Sequence, residues 1–222
     1  MRPILIFLIS QTILLPIIVG LIRLNRIDKS YQPFYILLWI GFVTEVISFV
    51  LIKGFHAYNA IPINIYTLLE WTLIAWQFHV WGFLKQRPRI FYGFLGLATL
   101  FWITVNLVYG QITAFSPYFR IFYYCTIVLL SIRTINFMIT HENRNLFRNP
   151  RFLICIGFII YFFYMILYYW ASTVSNTNNH TVTTTVTMTR IFYLMAYINA
   201  LTNAIYAIAL LLLPARVKFT LN

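Results

Sequence analysis

Acidic side chains are scarce in this chain: its 222 residues include only 4 Asp and Glu, against 16 Lys and Arg. Charged residues of both signs amount to 9% and hydrophobic ones to 61%, whereas a soluble domain is typically about one quarter charged. That composition leaves too little polar surface for water and excludes an ordinary soluble globule. The formal charge of +12 is not that of a nucleic-acid binder, because no soluble basic face accompanies it.

Cysteine is nearly missing as well. Cys125 and Cys155 fall in two separate apolar stretches, one toward each side of the bilayer, so depth argues against a disulfide between them. No CxxC or Cys/His metal spacing occurs. The histidines, His56, His79, His141 and His180, divide between the two sides, and neither HExxH nor GxSxG is present. A glycine-rich phosphate loop is absent. Nor is there a lysine between Arg190 and Leu213 to hold a retinal Schiff base. These gaps lean against an enzyme and predict no cofactor.

What the chain does have is long apolar runs. Seven windows reach the length needed to cross roughly 30 Å of hydrocarbon as α-helix. They fall at about 4–22, 34–52, 61–84, 90–109, 117–139, 152–171 and 190–213. The first is longer than a signal-peptide core and lacks a small-residue cleavage site, so it reads as a retained helix. Pro3, Pro33, Pro62, Pro88, Pro117 and Pro150 each precede or open a window, where a missing N–H costs nothing. Pro16 alone sits inside one and predicts a kink.

Orientation follows from the cationic residues. Arg23, Arg26, Lys29, Lys85, Arg87, Arg89, Arg144, Arg148, Arg151, Arg216 and Lys218 lie on one side. Arg2, Lys53, Arg120 and Arg190 lie on the other, with Arg133 inside the fifth window. The expected architecture is therefore an all-α integral membrane protein of the cell membrane. It is a single seven-helix transmembrane bundle over residues 1–222, with an outer N-terminus, a cytoplasmic C-terminus and no soluble domain. The uncharged segment 172–189, rich in Ser, Thr and Asn, reads as an outer loop or a small hairpin lid, and Asn179 begins a glycosylation sequon.

Two of the four acids, Glu45 and Glu70, lie inside windows, where ionisable groups are expensive and mark function by default. Counting inward from the outer ends puts both roughly 10–14 Å deep, in one layer. Tyr66 and Thr67 share the face of Glu70, while Asn199, Thr202, Asn203 and Tyr206 form a stripe on the last helix. Arg120 and Arg190 stand at outer helix ends, with stems long enough to point inward or to snorkel to the headgroups.

These residues, Glu70, Glu45, Tyr66, Thr67, Asn199, Asn203, Arg120 and Arg190, predict an outward-facing polar pocket for a small-molecule or lipid ligand. The competing reading makes each acid and amide an interhelical packing bond. The expected activity is that of a receptor-like sensor or signalling bundle. Its cytoplasmic partner would dock on the basic inner loops, best at residues 141–151, although that loop equally suits anionic headgroups of the lipid bilayer. A transporter or proton-coupled permease using Glu70 and Glu45 is the second expectation, and a structural subunit of a membrane complex the third.

Overall fold

A computed structural model describes Ile9 and residues 11–141, 145–177 and 182–214, and among these the chain is helical, with no strand. Seven α-helices follow one another: α1 Leu14–Ile22, α2 Gln32–Gly54, α3 Ala60–Val80, α4 Pro88–Ile103, α5 Pro117–His141, α6 Pro150–Thr177 and α7 Val182–Leu211. Prolines open α4, α5 and α6 and stand in the first turns of α2 and α3, where their lack of an N–H breaks no intrahelical bond. Pro16 falls just inside α1, directly after a 3-10 turn at Gln11–Ile13, so regular α bonding begins only beside it.

Among the described residues five helical segments are long and apolar enough to cross a membrane: Lys29–Gly54, Pro88–Val108, Pro117–His141, Pro150–Thr173 and Tyr193–Leu211. At 21 residues α3 has the length but not the composition, and its burial pattern explains why. Asn64, Thr67, Glu70 and Gln77 are all buried, so this helix turns a polar stripe toward the protein interior rather than an apolar surface toward lipid. Elsewhere large apolar side chains face outward, among them Leu97, Leu100, Leu129 and Phe163, as lipid contact requires. Trp76, whose depth suggests packing, is half exposed on this outer surface.

The helices close into a ring. α5, α6 and α7 pack side by side, α7 returns to α1, and α1 and α2 lead to α3, which meets α5. α4 lies outside the ring, with Phe94 edge-on to Trp71 at 5.3 Å and Phe101 edge-on to Phe122 at 5.3 Å. A π-helical turn at Thr104–Val108 ends it, and Tyr109 N–H donates to the Thr104 carbonyl at 2.9 Å.

At the end of the ring where α2 and α6 begin, the interior is a solid aromatic core. Phe34 meets Tyr206 edge-on at 5.0 Å and Phe158 at 6.0 Å, contacts worth about 0.5–1.5 kcal/mol each beyond their burial. Gln77 ties this end together, accepting from Phe34 N–H at 2.8 Å and donating to the Ser30 carbonyl at 2.5 Å. Arg23 donates to the Leu211 carbonyl, joining the last turns of α1 and α7.

The segment 172–189 is not a hairpin in its described part, because α6 runs to Thr177 and α7 starts at Val182. Extending two helices pairs every backbone donor within its own segment, which a lone two-stranded ribbon does not achieve. The sequon at Asn179 lies outside the described residues, as do residues 142–144 of the basic 141–151 loop.

Candidate functional site

A cavity of about 560 Å³ opens among α2, α3, α5, α6 and α7, at the end of the ring where α3, α5 and α7 begin. Its wall is mostly apolar and aromatic, with Phe158, Phe162, Met165 and Tyr161 among its residues. The polar groups that reach it come from helix faces repeating every three or four residues. On α3 these are Tyr66, Thr67 and Glu70; on α5, Arg120, Tyr123 and Tyr124; on α7, Asn199, Thr202, Asn203 and Tyr206.

Glu70, only 5% exposed, is the deepest acid. Tyr66 donates to its Oε1 at 2.9 Å from one turn away on α3, and Tyr123 donates to its Oε2 at 2.6 Å from across the ring. The second of them joins α5 to α3, and interhelical bonds of this kind are worth on average about 0.6 kcal/mol, and at most about 1.7, in a membrane. Gly41 faces the first of them: a Cβ there would make ordinary contact with the Tyr66 hydroxyl at 3.4 Å and a tight one with Ile13 Cδ1 at 3.1 Å. Glu45, one turn along α2 from Gly41, lines the same cavity with Thr44 and Ser48.

Arg120 is 4% exposed and stands in the first turn of α5. It donates to Asn64 Oδ1 at 2.9 Å and to the Tyr169 hydroxyl. Its guanidinium lies 5.4 Å from the Phe115 ring centroid and 5.3 Å from that of Tyr169. Stacking of a desolvated cation on aromatic faces is worth about 2 kcal/mol. Asn64 in turn is fixed on every side. Its amide donates to the carbonyls of Ile112 and Ala114, both at 2.8 Å, while its own carbonyl accepts from Thr67 at 2.7 Å and from Trp102 at 3.1 Å. The 4–5 connection is thereby strapped to α3, and Phe115 is held over Arg120.

The α7 stripe divides its work. Asn203 donates to Thr12 at 3.0 Å and to Asn199 at 3.4 Å, which closes the seam between α7 and the start of α1. Thr202 is 2% exposed and lines the cavity, and its hydroxyl has no hydrogen-bond partner among the described residues.

Seven of the eight residues expected from the sequence, Glu70, Glu45, Tyr66, Thr67, Asn199, Asn203 and Arg120, thus line one cavity. The eighth, Arg190, is exposed and lies outside it. Reading the sequence missed Asn64, Tyr123, Tyr161 and Tyr169. Two of these carried a signal: Asn64 precedes Thr67 by one turn and Tyr123 follows Arg120 by one turn, so each shares the face of a residue already singled out. Tyr161 and Tyr169 lie in an aromatic-rich helix where no spacing distinguishes a site tyrosine from a packing one.

A carboxylate is gripped by two phenols and a guanidinium by an amide and a phenol, with an apolar chamber between. Among the described residues no group of three His, Cys, Asp or Glu is placed to hold a metal ion. No family model, curated protein or solved structure matches the chain.

Proposed function

We propose that the chain crosses the bilayer seven times, with its N-terminus outside and its C-terminus in the cytoplasm. In this reading it is a receptor-like bundle that binds a small amphipathic ligand in an outward-opening pocket and signals through a separate partner. The orientation is supported by the described cationic turns. Arg23, Arg26, Lys29, Lys85, Arg87, Arg89, Arg148 and Arg151 flank the helix ends opposite the cavity, whereas Lys53, Arg120 and Arg190 belong to the cavity end.

The observation that carries the binding role is the cavity itself. About 560 Å³ suits a small ligand, and a mostly apolar wall with a few converging polar groups is the usual construction of such sites. Filling it should abolish binding without unfolding the ring. Thermal unfolding of the purified chain against a panel of single-chain amphiphiles tests this: a saturable rise in Tm that Thr202→Trp removes is the expected result. No amphiphile raising Tm, or an equal rise in the filled variant, overturns it.

The unbroken helices favour a receptor over a transporter. α2, α6 and α7 run as single helices past the cavity, whereas transport sites are built from interrupted ones. The π-helical turn Thr104–Val108 belongs to α4, outside the cavity wall.

A further inference from the structure

Two buried opposite charges share the cavity without pairing. Arg120 bonds to Asn64 and Tyr169, and Glu70 accepts from Tyr66 and Tyr123. Neither has an ion-pair partner among the described residues, and Arg120 and Glu70 do not pair with each other. In a medium of low dielectric, free opposite charges collapse together unless something holds them apart. Here neutral groups do so. Arg120 donates to Asn64, six residues from Glu70 along α3, and Tyr123, which carries the bond to Glu70, lies one turn from Arg120 along α5, so the residues that hold the two charges are spaced roughly 5–9 Å along the helices.

A second feature adjoins them. On the outside of the ring, between α2 and α3, a groove of about 380 Å³ is walled by Trp39, Val43, Ile47, Ile65 and Leu69. These side chains are exposed and apolar, so in a bilayer the groove faces hydrocarbon. Thr44 and Tyr66 belong to both walls, one side to the groove and the other to the cavity. Only these two side chains are common to the chamber and the lipid-facing groove.

Resting on the ligand-binding reading above, we infer that the ligand is a membrane lipid with a zwitterionic headgroup. Its anionic phosphate meets Arg120, its ammonium meets Glu70, and its acyl chain lies in the α2–α3 groove past Thr44 and Tyr66. An anion alone would leave Glu70 facing a like charge, and an amine alone would leave Arg120 doing so. A group bearing both signs satisfies both. An acyl chain is the occupant because the groove is apolar, opens to lipid and is divided from the chamber that holds the charges only by the wall to which Thr44 and Tyr66 belong.

The test is native mass spectrometry of the full chain in detergent micelles, with three probes: an ethanolamine-phosphate lipid, a glycerol-phosphate lipid of equal chain length, and soluble phosphoethanolamine. The ethanolamine lipid should be retained about tenfold or more over the glycerol lipid, the difference made by one charge-assisted contact. Glu70→Gln should erase that preference, Arg120→Gln should weaken both lipids, and Arg120→Lys should keep the preference if the charge is what acts. Val43→Trp, which fills the groove at a residue that does not line the cavity, should lower lipid retention and leave soluble phosphoethanolamine unchanged. Equal retention of the two lipids, or a preference that survives Glu70→Gln in a variant that elutes as folded protein, overturns the zwitterion assignment. Binding of phosphoethanolamine with no lipid retained overturns the lipid assignment while leaving the pocket reading standing. Saturable binding of only unrelated amphiphiles has the same meaning, whereas no saturable binding of any probe defeats the pocket reading itself.

Discussion

Gly157 lies flat against the ring of Tyr206: a Cβ built on the glycine would stand 2.3 Å from the Tyr206 Cε1 carbon. No real pair of atoms approaches so closely, so the absence of a side chain at this point of α6 is what lets α7 bring Tyr206 into the aromatic core under the cavity. Gly20 does the same for Tyr35 between α1 and α2, where a Cβ would meet Cε2 at 2.1 Å.

Gly157→Val should therefore push Tyr206 out of its place. Overpacking of this kind costs about 1–3 kcal/mol. The variant should show a lower Tm in detergent, together with altered ligand stabilisation, since Tyr206 also lines the cavity. An unchanged Tm would mean that α6 and α7 do not meet as described.

Tyr123→Phe removes the 2.6 Å bond to Glu70 while preserving ring packing. Its cost should be about 0.6 kcal/mol, the average for interhelical bonds in membranes, and no more than about 1.7 kcal/mol. Tyr66→Phe removes the partner on the same helix, and because that bond joins no second helix its effect on global unfolding should be smaller. Measuring both by reversible unfolding in mixed micelles decides the order.

Gln77→Leu tests the opposite end. The glutamine caps the Phe34 N–H in the first turn of α2 and bonds the Ser30 carbonyl, so its loss strands a buried donor at a cost of about 1–3 kcal/mol. Ligand binding should survive, because Gln77 does not line the cavity. Hydrogen exchange at the start of α2 should rise.

Topology is checked with single cysteines placed in a chain lacking Cys125 and Cys155. Tyr58→Cys, at a position 91% exposed in the α2–α3 connection, should react with an impermeant maleimide from outside intact cells. Phe147→Cys, 73% exposed in the α5–α6 connection, should react only after permeabilisation. Labelling of both from one side overturns the seven-crossing topology.

Proteoliposomes separate receptor from permease. A receptor predicts no proton flux at either acid, whereas a permease predicts flux that Glu70→Gln abolishes. Flux of that kind would replace the proposed function with the transport alternative.

The amino-acid sequence alone determined that the chain is built of apolar helices, where most of them start, and which rare polar residues lie inside them. Composition, proline position and helical period are local properties, and the cost of unsatisfied backbone in hydrocarbon leaves little choice of element. Counting residues along straight rods brought Glu45, Glu70 and Asn199 together, and all three line one cavity. Other features depended on which rod stands beside which, and no periodicity records that. The ring that closes α7 onto α1, the grip of Tyr123 on Glu70 across it, and the strap from Asn64 that holds Arg120 all join residues distant in sequence. Arg120 and Arg190 show the difference most plainly: in the sequence each is a lone cation at the start of an apolar window. Arg120 is buried between Phe115 and Tyr169, with Asn64 accepting from its guanidinium, whereas Arg190 is exposed.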